Sequence, residues 1–240
     1  MTQLLYQTDS YLQEFDAVVT GVQPETRVVT LDRTAFYAAG GGQPCDLGAL
    51  TAFGGVTYPV TSVKKQGADA SHFLGGDAPL PALGAQVHGK IDWERRHKLM
   101  RTHTALHVLC GVVFRDYGAL VTGGDMEPLK GRMDFEFERM KGELVREIES
   151  AVNREIETGR DVRVNILPRA EAFQIPDLIR TKINLLPEGI QEVRTVEIVG
   201  LDLQADGGTH VRNTREVGRV RVADYKSKGA INKRIYIEIE

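Results

Sequence analysis

The sequence predicts an α+β protein, a small N-terminal β-barrel followed by a C-terminal α+β domain. Three observations carry this. Through residue 91, short β-branched runs are separated by glycines and prolines, the rhythm of a small barrel or sandwich. At Asp92 the pattern switches to helical periodicity. Beyond it, strands and helices interleave without a regular βαβ cycle, which favours α+β over α/β. The switch divides the chain into residues 1–91 and 92–240.

In the first part, residues 18–22, 27–31, 56–63 and 85–91 read as strands from their β-branched content. Gly75-Gly76-Asp77-Ala78-Pro79-Leu80-Pro81 is a loop by composition. Asp92 is placed to cap a helix running from 93 to about 114, with Glu94 in its first turn against the helix dipole. Leu99, Leu106, Cys110 and Val113 form its apolar stripe, and His103 lies one turn beyond Leu99. A strand follows over 131–137. Residues 138–158 read as a second amphipathic helix, with Leu144, Ile148, Val152 and Ile156 at four-residue spacing and Gly159 as its stop. Residues 162–166, 193–199 and 217–222 read as strands. Residues 234–240 alternate strictly, as a half-buried antiparallel strand does.

The bulk numbers exclude several function classes. A chain of 240 residues suffices for one large core or two smaller ones. At 42% hydrophobic and 26% charged it has an ordinary globular composition. A net charge of -3 rules out a global positive field that would draw nucleic acid, but leaves room for a local basic patch. No apolar run approaches the roughly 18 residues that span a bilayer. The N-terminus lacks a basic segment followed by an apolar one, so a cytoplasmic protein is expected. Cys45 and Cys110 make no disulfide framework, which fits a reducing compartment.

Chemistry concentrates in two pairs of residues. His103 and His107 stand four apart, so on a helix both imidazoles share one face. Thr104 occupies the position where the HExxH zinc proteases carry glutamate, which excludes that class. Far downstream, Asp206-Gly207-Gly208-Thr209-His210 repeats the four-residue spacing, with two glycines that permit a tight backbone. Three imidazoles and a carboxylate suit a zinc ion. With an open coordination position such a site is hydrolytic; closed, it is structural.

Two further features admit two readings each. Gly40-Gly41-Gly42, ahead of Gln43-Pro44, forms either a simple turn or a surface of exposed backbone N–H groups. No Gly-Lys-Ser/Thr follows, so it is not a P-loop. Arg95, Arg96, Lys98 and Arg101 crowd one helix, and Lys226, Lys228, Lys233 and Arg234 crowd the C-terminal hairpin. Such clusters form either a solvated face or a phosphate-contacting patch.

In combination these motifs resemble the AlaX proteins, free-standing relatives of the editing region of alanyl-tRNA synthetase and, more distantly, of threonyl-tRNA synthetase. Leu31-Asp32-Arg33-Thr34-Ala35-Phe36-Tyr37, leading into Gly40-Gly41-Gly42-Gln43-Pro44, resembles the family's glycine-rich motif. Arg95-Arg96 with His103-Thr104-Ala105-Leu106-His107 resembles its first zinc half-site, and Asp206-Gly207-Gly208-Thr209-His210-Val211 its second. The likeness spans residues 15–240, and the length matches the medium type. In two places the chain departs from the pattern. Asp206 stands where the family commonly carries cysteine, and Ala38-Ala39 stands where Pro-Glu is usual.

The resemblance implies an α+β zinc-binding editing domain behind the barrel. Its activity would be hydrolysis of the ester in mischarged tRNA(Ala) carrying serine or glycine. One zinc ion would be held by His103, His107, His210 and Asp206. Thr34 and Gln43 are candidates for a serine pocket, because a positioned hydroxyl or amide reads the substrate hydroxyl. Gly40, Gly41, Gly42, Arg95, Arg101 and Lys228 are candidates for contact with the aminoacyl-tRNA. Two rival expectations are a metal-dependent hydrolase of another small ester or amide, and a non-catalytic tRNA-binding module with a structural metal. The oligomeric state is not legible in the sequence.

Overall fold

A computed structural model describes residues 1–180 and 189–240 of the chain. They divide into two compact units, Met1–His97 and Lys98–Glu240.

The first unit contains β1 (Gln3–Leu4), β2 (Glu14–Gln23), β3 (Val28–Leu31), β4 (Arg33–Thr34), β5 (Gly48–Ala52), β6 (Thr57–Gln66), β7 (Asp69–Leu74) and β8 (Gln86–Ile91). Six of these close into a barrel in the order β2-β3-β7-β6-β5-β8. Every neighbouring pair is antiparallel. Closure decides between barrel and sandwich, because it leaves no unpaired edge. Alternating side chains fill the interior: β2 buries Phe15, Ala17 and Val19, and β6 buries Tyr58 and Val60. A register shift between Val60 and Ser62 then turns Val63 inward. The short β1–β4 pair is parallel and sets Leu4 opposite Thr34.

Strands β5 and β7 have no counterpart among the predicted ones. Gly-Ala-Leu-Thr-Ala and Asp-Ala-Ser-His-Phe-Leu contain almost no β-branched residues. Their pairing partners, not their own propensity, make them strands.

The long helix α1 (Trp93–Tyr117) starts where predicted, with Asp92 Oδ1 accepting the Arg95 N–H at 3.0 Å. It departs from the predicted single apolar stripe. Every residue from Thr102 to Val113 is buried, on all sides of the helix. Thr102, His103, Thr104 and His107 are therefore polar groups that must find partners inside.

The second unit continues with β9 (Val121–Glu127), β10 (Lys130–Glu136), α2 (Gly142–Thr158), β11 (Val162–Pro168), α3 (Arg169–Ala172), β12 (Glu192–Ile198), β13 (Asp202–Ala205), β14 (Val220–Ser227) and β15 (Asn232–Ile239). Two antiparallel sheets result, β14-β15-β10-β9 and β11-β12-β13. The C-terminal alternation is realised: β15 buries Lys233, Ile235, Ile237 and Ile239 and turns the intervening residues outward.

Helix α2 begins at Gly142, four residues later than predicted. Residues 138–141 bury no side chain, so nothing there offsets the entropy of ordering a helical turn. Val145, Ile148, Val152 and Ile156 form its buried face, with Leu144 only half-buried. Gly159 ends it at φ 74°, donating its N–H to Ile156 O. The side chain of Asn153 docks α2 on β14: its Nδ2 donates to Val220 O at 2.7 Å, and its Oδ1 accepts the Val220 N–H at 3.0 Å. The strand predicted over 217–222 lies further along. Residues Thr214–Val217 form a 3-10 turn capped by Asn213, and the chain becomes extended only at Val220. No helix among the described residues is long and apolar enough to cross a membrane.

Candidate functional site

Helix α1 supplies His103 and His107; the loop after β13 supplies Asp206 and His210. One donor atom from each of the four lies within 4.8 Å of every other. The ring centroids are 5.1 Å apart for His103 and His107, 4.2 Å for His103 and His210, and 4.7 Å for His107 and His210. The imidazoles are at most 7% exposed. The second pair is not helical. Asp206 and His210 are brought together by a tight turn in which Gly208 N–H donates to Asp206 Oδ2 at 2.7 Å. Asp206 Oδ2 also lies 3.0 Å from His210 Nε2, and Asp206 Oδ1 lies 3.5 Å from His103 Nε2. The carboxylate thus serves both the turn and the cluster.

Burial sets the protonation. It holds His103 well below the ordinary histidine value and His210 down at about 4. Both rings therefore keep a lone pair at neutral pH. Burial acts the same way on His107, but the hydrogen bond and charge of Asp202 outweigh it, and His107 is raised. For Asp206, burial opposes ionisation, yet the imidazoles of His103 and His210 prevail and hold it well below the carboxylate range.

Three buried imidazoles and an anionic carboxylate converging on one point form a donor set for a divalent ion. On a tetrahedron with bonds of about 2.0–2.1 Å, donors stand about 3.3 Å apart. The observed donors, all within 4.8 Å of one another, are gathered on that scale. Nitrogen-rich sets of this kind suit zinc among the common divalent ions.

The glycine motif lies in the barrel unit. Gly40 and Gln43 pair as an antiparallel bridge, and the two residues between them, Gly41 and Gly42, have φ of 58° and 85°. Positive φ at both central positions is the requirement of a type I′ turn, which explains the glycines. The base of this loop is clamped. Arg96, fully buried, donates from Nε to Asp46 at 2.9 Å and from Nη1 to Ser10 O at 3.0 Å. Asp46 in turn accepts the Tyr37 N–H at 2.7 Å.

Thr34 is fully buried in the same unit. Its hydroxyl lies 2.8 Å from His72 Nε2 and accepts the Phe36 N–H at 3.1 Å. His72 Nδ1 lies 3.3 Å from Val29 O, a group that only accepts, so Nδ1 carries the proton and Nε2 accepts from Thr34. Gln43 is also buried, at 2% exposure.

Residues 193–236 match the profile of the threonyl and alanyl tRNA synthetase second additional domain, and residues 6–95 that of class II (A) tRNA synthetases. The chain is 38% identical over 243 residues to the alanyl-tRNA editing protein AlaX-M of Saccharolobus solfataricus, covering 100% of both chains.

The chain belongs to the AlaX-M family.

The AlaX-M protein of Methanosarcina acetivorans is likewise 38% identical, over 100% of this chain and 99% of its own. The alanine–tRNA ligase of Ignicoccus hospitalis is 39% identical over 92% of this chain but only 24% of the ligase. This AlaX-M member thus resembles one segment of a much larger enzyme.

Most residues of the two basic clusters are engaged inside this AlaX-M fold. Arg95 donates to Cys45 O at 3.3 Å. Arg101 donates to Val217 O at 2.9 Å and to Glu240 O at 2.6 Å. Lys233 Nζ holds Gly229 O and Ala230 O at 2.8 Å, closing the hairpin tip. Arg234 forms a fork with Asp134 at 2.6 and 2.7 Å, and Lys226 reaches Asp224 at 3.2 Å. Lys228 is exposed in the β14–β15 turn. The sequence assigned no site role to Asp202 or Thr104, which bond His107 and His210 from outside the cluster. The signal for Asp202 was slight: a carboxylate in the strand leading directly into the second half-site.

Proposed function

We propose that the chain is an aminoacyl-tRNA deacylase that hydrolyses mischarged tRNA(Ala), with serine or glycine as the amino acid removed and one zinc ion at the His103, His107, Asp206 and His210 cluster. The observation that carries this reading is the convergence of four buried donors within 4.8 Å in a chain whose full-length relatives are alanyl-tRNA editing proteins.

A divalent ion held by such donors supplies Lewis acidity toward an ester carbonyl and a nucleophilic water at neutral pH. The protein's residues do the rest. His103 and His210 stay neutral through burial, so each ring keeps a lone pair to offer a divalent ion. Asp206 brings the negative charge. Thr34 and Gln43 are assigned to the reading of the serine hydroxyl. Because the Thr34 proton is committed to His72, that oxygen reads a ligand by accepting a hydrogen bond. The glycine turn, Gly40 to Gly42, offers main chain without side chains to the aminoacyl end. Arg95, Arg101 and Lys228 are assigned to tRNA phosphates, and of these only Lys228 is exposed.

The decisive experiment is a deacylation assay on Ser-, Gly- and Ala-tRNA(Ala), each with and without a zinc chelator. Cleavage of the seryl and glycyl esters, sparing of the alanyl ester and loss of activity on chelation are the expected results. Binding of tRNA without cleavage by the zinc-loaded protein would replace this reading with that of a binding module holding a structural metal.

A further inference from the structure

We propose that Asp202 is a positioning residue that fixes His107 in the one tautomer able to present its Nε2 to the metal cluster. This rests on the metal reading above and extends it to a residue outside the four donors.

The geometry is that of a buried carboxylate behind a ligand. Asp202 Oδ2 stands 3.1 Å from His107 Nδ1, on the ring edge opposite Nε2. The same oxygen accepts from Gln204 Nε2 at 2.6 Å, and Oδ1 faces Arg180 Nε at 3.5 Å. Asp202 is 3% exposed, so water does not compete for these bonds. Held between the Gln204 amide and the Arg180 guanidinium, this carboxylate presents an acceptor to the ring. His107 must therefore place its proton on Nδ1, which leaves the Nε2 lone pair free.

His210 provides the contrast. Its Nδ1 lies 3.1 Å from the Thr104 hydroxyl, which also accepts the Val211 N–H. A hydroxyl both donates and accepts, so Thr104 satisfies either tautomer of His210. It permits the Nε2–H form that bonds Asp206 as well as the Nδ1–H form that frees Nε2. Asp202 permits no such choice at His107.

The backbone is shaped for this contact. Gly111 lies one helical turn beyond His107, and a Cβ there would stand 2.9 Å from Leu201 Cγ and 3.0 Å from Asp202 Cβ. The glycine lets the start of β13 close on α1 and brings the carboxylate within reach of the ring. Outer-sphere carboxylates on ligand histidines typically carry about 10–100-fold in metal affinity.

The test uses the full chain, with zinc as the probe in competition with chelators of graded affinity. Asp202→Asn and Asp202→Ala should both weaken zinc binding, the alanine variant by about 10–100-fold. A second measurement needs no variant. Long-range proton–nitrogen correlation spectra of the metal-free wild type in mildly alkaline solution should show His107 protonated on Nδ1. In Asp202→Ala that signature should give way to a tautomer mixture, while Thr104→Val, which leaves Asp202 in place, should preserve it. Nε2-protonated His107 in the wild type, or zinc affinity in both Asp202 variants within twofold of wild type, would overturn the proposal. His107→Ala separates the two levels. If it binds zinc as tightly as wild type, the metal reading itself fails and takes this inference with it. If it loses zinc while the Asp202 variants do not, the metal site stands and the role of Asp202 is refuted.

Discussion

Thr34 and His72 show how much one hydroxyl can carry. In Thr34→Val the shape is kept, but His72 Nε2 loses its donor and the Phe36 N–H loses its acceptor, both inside the barrel. Leaving buried groups unmade costs about 1–3 kcal/mol. Denaturant unfolding should show a loss of that order in Thr34→Val and little change in Thr34→Ser. If Thr34 also reads serine, the ratio of Ser- to Ala-tRNA(Ala) deacylation should fall several-fold in the valine variant. The ratio should survive in the serine variant. A stable valine variant would show that the hydroxyl is not bonded as described. His72 yields a pH prediction. Burial lowers its folded pKa from 6.5 to about 4. Between those values the unfolded chain binds the extra proton, so stability is complete above about pH 6.5 and falls as pH drops toward 4. Its share of the loss between pH 7 and pH 5 should be about 2 kcal/mol. The difference in acid sensitivity between wild type and His72→Gln measures it, and equal sensitivity would contradict a neutral buried ring.

Elements were legible where their signal was local. Asp92 as helix cap, Gly159 as helix stop and the alternation of β15 all rest on neighbours in sequence, and each has its physical counterpart in the fold. Strands β5, β7, β9 and β13 were not legible, because pairing imposes extension on weakly β-forming segments: β5 and β7 are held by the distant strands β8 and β3, β9 and β13 by the adjacent strands β10 and β12. The long-range pairings were equally hidden. Arg96 meets Asp46 across 50 positions and Arg101 meets Glu240 across 139. A run of basic residues on one helix cannot announce that it is spent on the interior. The His103/His107 pair and the 206–210 segment were legible as ligand candidates from spacing alone; that one is a helix and the other a turn was not. The glycine turn tests this scale directly. A Cβ at Gly41 would meet nothing within 4 Å, so the cost of a side chain there is conformational rather than steric, and both Gly41 and Gly42 hold positive φ. Each Gly→Ala change should destabilise the barrel unit by about 1 kcal/mol, whereas Gly41→Asn, which tolerates the left-handed region, should cost less. Equal effects of alanine and asparagine at position 41 would show that backbone conformation is not the constraint.

At the scale of the whole molecule, all four cluster residues belong to Lys98–Glu240 and none to Met1–His97. An ion that binds only the folded state stabilises it by mass action, about 4 kcal/mol at a thousandfold excess over Kd. For a unit of this size that raises the melting temperature on the order of 10 °C. The chain provides separate probes. Its single tryptophan, Trp93, lies in the first unit, whereas α2 and most of α1 lie in the second and dominate the helical circular dichroism signal. Zinc should therefore raise the helical transition, and chelator should reverse it. The Trp93 fluorescence transition, tied to the barrel, should move less. His210→Ala should abolish the zinc-induced rise, because it removes a nitrogen from the loop half of the cluster. Asp206→Ala should reduce it, and Asp206→Cys should enlarge it, since a thiolate is the stronger donor to zinc. A helical transition that zinc leaves unmoved in the wild type would sink the metal assignment. A rise of equal size in Asp206→Ala would confine the ligands to the three histidines and leave Asp206 to its turn with Gly208.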